Sequence, residues 1–159
     1  MKKCQLALLL ILLPPAVLAT PPGILRLEAR EPMDLTSEAV YAALEKARFW
    51  VVFEADPGSN LATFAERWGE DLNRNALGGI RSIVVCNAWY ANQVSNADPD
   101  LLALCPLRVN LVEKDGETRV LFARPTVTAA GSPGIAVVEE VEREIEAALR
   151  AGVAAAQGQ

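Results

Sequence analysis

Histidine is absent from all 159 residues of this chain, and that one absence removes whole classes of chemistry. Neither a Ser-His-Asp nor a Cys-His catalytic arrangement can be built, and a CxxCH haem attachment cannot exist. Zinc loses its commonest nitrogen ligand, and no side chain has an unperturbed pKa that would make it a switch near neutral pH. A general base would have to be a carboxylate, a lysine or a perturbed cysteine, which weighs against hydrolases. Basic residues are outnumbered by acidic ones, 15 against 20. There is no basic stripe and no aromatic–basic interleaving, so nucleic acid and anionic membrane surfaces are poor partners. No glycine-rich phosphate loop follows any strand, which leaves a nucleotide site unsupported.

What is present begins with a signal peptide. Lys2 and Lys3 form a positive start, Leu6 to Leu13 an unbroken apolar run, and Val17-Leu18-Ala19 a small-residue cleavage site. Cleavage is expected after Ala19, dividing the chain into a signal peptide (1–19), one domain (20–152) and a frayed tail (153–159). The apolar run is too short for a membrane anchor, which needs about 20 residues. Cys4 lies ahead of that run, where no lipid-modified cysteine would stand. Localisation is therefore periplasmic or secreted, with no membrane contact after processing. Losing Lys2 and Lys3 leaves 13 basic against 20 acidic residues, and takes the formal charge from −5 to −7.

The mature chain reads as β-α-β-α-β-β-β-α. Gly23 to Arg30 alternates as a half-buried strand does. Asp34 offers an N-cap to a helix carrying Leu35, Val40, Ala43, Leu44 and Ala47 at helical spacing. Phe49 to Glu54 is β-rich and ends at Pro57-Gly58. Ser59 or Asn60 can cap a second helix running to about Arg74, before Gly78-Gly79 breaks it and Ile80 to Cys86 forms an apolar strand. Leu107 to Glu113 and Glu117 to Arg124 flank Asp115-Gly116, the clearest hairpin signal in the chain. Pro125 to Pro133 reads as a loop. A last helix runs from Gly134 to Gly152 with Val137, Val138, Val141, Ile145, Ala148 and Leu149 in one stripe, and its five glutamates (139, 140, 142, 144 and 146) read as a solvated face. The fold class is α+β, an antiparallel or mixed sheet with helices on one face.

Cys86 and Cys105 bracket an 18-residue loop of aromatic and polar residues. Cys86 ends one strand and Cys105 stands at the threshold of the next, so antiparallel pairing would bring them together at the base of the loop. A disulfide there would contribute roughly 3 kcal/mol in the chain-entropy model. The functional alternatives are a reducible thiol pair, a sulfane-sulfur carrier, or two soft ligands for copper(I). No other cofactor is expected, and any metal would rest on Cys86 and Cys105. No catalytic residue is singled out. Within the loop, Asn87, Trp89, Tyr90, Asn92 and Gln93 form a mixture suited to a pocket or a partner surface, with Arg108 the nearest cation. Asp98 and Pro99 read as N-cap and first residue of a short helix.

Four stretches together carry a family resemblance. They are the first helix leading into Phe49-Trp50-Val51-Val52-Phe53-Glu54, the Ile83-to-Asn87 strand and turn, Leu104-Cys105-Pro106-Leu107-Arg108-Val109, and the Asp115-Gly116 hairpin ending in Ala123-Arg124-Pro125. From Gly23 to Pro125 the chain resembles the bacterial and archaeal domain of unknown function numbered 302. That resemblance implies a compact α+β domain like half of the TATA-binding protein, assembly as a homodimer, and no accepted activity. The family usually reads Phe-Gly-Asn-Pro where this chain has Val85-Cys86-Asn87-Ala88, and an apolar residue where it has Cys105. Both cysteines are thus departures. Three readings stay open: an exported, dimeric, non-enzymatic binding or accessory module using the Cys86–Cys105 loop, a thiol-based redox or sulfur and copper carrier, and a structural dimer with the loop as its interface.

Overall fold

The computed structural model describes residues 21–158, so the signal segment and its cleavage after Ala19 lie outside the described residues. Strand β1 (Ile24–Ala29) leads to helix α1 (Met33–Lys46) and strand β2 (Trp50–Ala55). Short helices α2 (Pro57–Ala62) and α3 (Ala65–Trp68) precede β3 (Gly79–Cys86). Helix α4 (Ala88–Ala97) and a 3-10 helix (Pro99–Leu104) connect it to β4 (Leu107–Lys114). Strand β5 (Glu117–Ala123), the single turn α5 (Pro125–Thr128) and the long α6 (Ile135–Ala156) complete the domain. No described helix is long and apolar enough to cross a membrane.

The five strands form one sheet in the order β1-β5-β4-β3-β2, antiparallel throughout. The α+β architecture expected from the sequence is the observed one. Strict alternation turns Leu25, Leu27 and Ala29 of β1 inward, with Val120 and Phe122 of β5, Val109 and Leu111 of β4, and Ile83 and Val85 of β3. Helices α1 and α6 cover that face with Val40, Leu44, Val141, Ile145 and Leu149. The hairpin between β4 and β5 turns at Asp115 and Gly116, whose φ values of 55° and 79° are the paired left-handed conformations of a type I′ turn. That is the conformation an Asp-Gly pair takes most readily.

Several local expectations are corrected. The segment 59–74 is not one helix. It breaks into α2, α3 and a 3-10 turn (Gly69–Asp71), and its cap is Asp56, which accepts from the Ser59 amide at 2.9 Å. Leu61, Phe64 and Trp68 remain exposed; with no partner to bury their stripe, helical spacing alone did not sustain a helix. Asp34 sits inside the first turn of α1, behind a Pro32 cap, and pairs with Arg81. Pro125–Thr128 is helical rather than loop. Helix α6 continues past Gly152 to Ala156, burying Val153 and Ala156 where a frayed tail was expected.

The glutamate face of α6 is not uniformly solvated. Glu142 is buried. Its carboxylate accepts from Arg124 Nη1 at 2.6 Å, from the Thr126 hydroxyl at 2.6 Å and from the Thr126 amide at 3.1 Å. Arg124 also reaches Glu146 at 3.0 Å. This cluster fastens the exit of β5 and the start of α5 to the middle of α6.

Candidate functional site

The ladder between β3 and β4 ends on the pair Val85–Leu107. Cys86 therefore closes β3 immediately beyond the ladder, and Cys105 stands two residues ahead of β4. The antiparallel pairing inferred for these strands thus holds. Both cysteines are free thiols, half-buried, with no disulfide between them.

The bracketed segment is not a loop. It is α4 followed by the 3-10 helix. Asn87 is the N-cap, accepting with Oδ1 from the amides of Trp89 at 3.0 Å and Tyr90 at 3.2 Å. Replacing Asn87 by alanine is expected to cost about 1 kcal/mol, read as a fall in Tm. At the far end Asp98 caps the 3-10 helix as expected, accepting from Asp100 N at 3.1 Å. Its other oxygen accepts from the Ser132 hydroxyl at 2.6 Å.

These elements line a small, partly open apolar cavity of about 30 Å³. Phe49 and Val85 close it on the sheet side, Tyr90, Ala91 and Val94 on the α4 side, and Val138 and Val141 on the α6 side. Leu104, Leu107 and Pro125 complete the wall, and Cys86, Asn87 and Cys105 are its remaining lining residues. Phe49 is buried and stacks on Tyr90, with ring centroids 6.1 Å apart. The Tyr90 hydroxyl donates to Glu140 Oε1 at 2.9 Å. Burial first, and then that hydrogen bond, push the Tyr90 phenol above its ordinary value. Burial likewise pushes the Cys105 thiol up, and the proximity of Cys86 adds to it. Among the described residues, no Asp, Glu, Lys or Arg lines the cavity.

Of the residues singled out in the sequence, the cavity gathers Cys86, Cys105, Asn87 and Tyr90. Trp89 is 64% exposed and Asn92 is exposed on the outer side of α4. Gln93 is half-buried but outside the lining, and Arg108 is exposed on the face of β4 opposite Val109. The walls supplied by Phe49, Leu104, Pro125 and α6 were missed. They come from segments far apart in the chain, and only the Val138–Val141 spacing marked one of them as inward-facing.

A model of the family described as domain of unknown function DUF302 matches residues 25–152. The chain belongs to the DUF302 family. Its fold is also that of a solved DUF302 protein, an uncharacterized conserved protein from Bacillus stearothermophilus. The two chains are 18% identical with a TM-score of 0.71, the match covering 82% of this chain and 98% of that one. At that identity the likeness speaks for the fold alone. No curated protein matches the chain. DUF302 membership extends the resemblance seen in the sequence beyond Pro125 to include α6, the helix that supplies one wall of the cavity.

Proposed function

We propose that this DUF302 protein is an exported, non-enzymatic binding module whose ligand site is the cavity holding Cys86 and Cys105. One observation carries the reading. Two cysteines from opposite ends of an intervening helical segment reach a single apolar cavity, while its polar side chains are engaged elsewhere: Asn87 Oδ1 in the α4 cap and the Tyr90 hydroxyl on Glu140. Export rests on the first 19 residues of the sequence. A redox enzyme is the weaker reading, because Cys86 and Cys105 stand 19 positions apart rather than as a CxxC pair. The homodimer implied by the resemblance is part of this proposal, and sedimentation equilibrium checks it.

Intact mass after expression to the periplasm, without reductant, tests the reading. The expected chain begins at Thr20 and accepts two methylthio groups from methyl methanethiolsulfonate while folded. A retained leader would remove the export claim. A chain two hydrogens lighter that resists mild reductant would make the pair a structural bond and end the binding reading.

A further inference from the structure

The size and chemistry of the cavity narrow what it can hold. Pockets for drug-sized ligands span roughly 300–1,000 Å³, whereas this one offers about 30 Å³, room for only one or two water-sized groups. A drug-sized organic ligand does not fit without rebuilding the wall. A single ion does.

The available donors narrow the ion. Among the described residues, no three His, Cys, Asp or Glu side chains converge, so the chain alone offers no tetrahedral zinc or oxygen-rich magnesium or calcium site. Within the lining, the two sulfur atoms are the only side-chain ligands not already committed. Thiolates are soft ligands and select soft metals, and copper(I) is satisfied by two of them. Apart from Asn87 and Tyr90, whose oxygens are engaged in the α4 cap and with Glu140, the remaining walls are hydrocarbon.

We propose that Cys86 and Cys105 together hold one copper(I) ion in this cavity, a site that rests on the binding-module reading and names its ligand. The metal displaces two protons: Cu⁺ and two thiols give a bis-thiolate complex of charge −1 and two H⁺, with no change of oxidation state. The surplus negative charge lies beside the N-terminus of α4, a 10-residue helix beginning two positions after Cys86, where the helix dipole favours an anion.

The test uses the reduced, full mature chain under anaerobic conditions, with copper(I) supplied as its acetonitrile complex and bicinchoninate as competitor. One copper per chain is expected, held against the competitor and accompanied by a rise in Tm that grows with metal concentration. Cys86→Ser and Cys105→Ser should each lose at least 100-fold in affinity, and zinc(II) should not be retained. Should either variant fail to fold, wild-type protein reversibly blocked with methyl methanethiolsulfonate should lose copper uptake and regain it after reduction. Absence of uptake by the free dithiol, or uptake unaffected by blocking, overturns the copper site. The intact-mass experiment stays independent of that outcome: accessible thiols that refuse copper leave the binding module standing with another small occupant, whereas a locked disulfide removes both.

Discussion

Replacing Gly152 by valine is expected to lower the stability of this fold by about 3 kcal/mol, the upper end of what overpacking costs, and Tm by roughly 10 °C. The reason lies where α6 crosses α1. A Cβ at position 152 would stand 2.7 Å from the Val40 Cα and 3.1 Å from the Ala39 carbonyl oxygen. Those atoms are backbone, so neither can swing aside and the two helices must separate. Separation would loosen Val40, Leu44 and Leu149, all fully buried. Against this, removing glycine from a helix interior gains only ~0.4 kcal/mol for valine, so the clash wins. Ala151→Val, one position along on the exposed side, is the control and should change stability by no more than about 0.6 kcal/mol. Thermal melts of the two variants decide the matter, and equal melting temperatures would show that the helices do not meet at Gly152.

Glu142→Ala should cost about 2–3 kcal/mol at neutral pH, because it strips a buried carboxylate from Arg124 and leaves the Thr126 hydroxyl and amide without their acceptor. Part of the loss is recovered, since Arg124 keeps Glu146. The cluster also sets an acid dependence. Burial pushes the Glu142 carboxyl up, but the Thr126 hydroxyl, Arg124 and the Thr126 amide outweigh it and hold the group below its ordinary value. Glu146 is lowered as well, first by Arg150 and then by Arg124. A carboxyl whose folded value is depressed adds stability above its unfolded pKa, and that contribution disappears as pH falls through the folded value. Denaturant midpoints should therefore fall between about pH 5 and pH 3 more steeply for wild type than for Glu142→Ala. Parallel curves would assign Glu142 no share of the acid sensitivity.

The sequence showed most clearly those features whose causes are local. The Asp115-Gly116 hairpin follows from the left-handed φ values those two residues tolerate, and β1 from alternation over six residues. Asp98-Pro99 opened a helical turn because cap and first residue are adjacent in the chain. Features that depend on a distant partner were harder to see. The polar and aromatic composition of 87–97 suggests a loop, although Asn87 in cap position and Tyr90 and Val94 four residues apart are signals of a helix. The stripe from Leu61 to Trp68 gave the opposite error, a helical pattern with nothing to pack on. Glu142 falls between Val138 and Ile145 in the buried stripe, but only the position of Arg124 explains why one glutamate of five turns inward. The two cysteines could be named from sequence. Their shared cavity could not, since its walls come from β3, α4, the segment ahead of β4, and α6.

The strand order has a consequence for how the chain becomes a protein. Among the described residues the first strand sits at one edge of the sheet, and its one ladder partner is the last: Leu27 lies opposite Val120, and Ala29 opposite Thr118. β1, with Leu25, Leu27 and Ala29 on one apolar face, therefore stays unpaired until β5 is in place. Closing so long a separation is entropically slow compared with zipping the β4–β5 hairpin. The unfolded chain thus holds a strand with one apolar face and no ladder partner until β5 docks beside it.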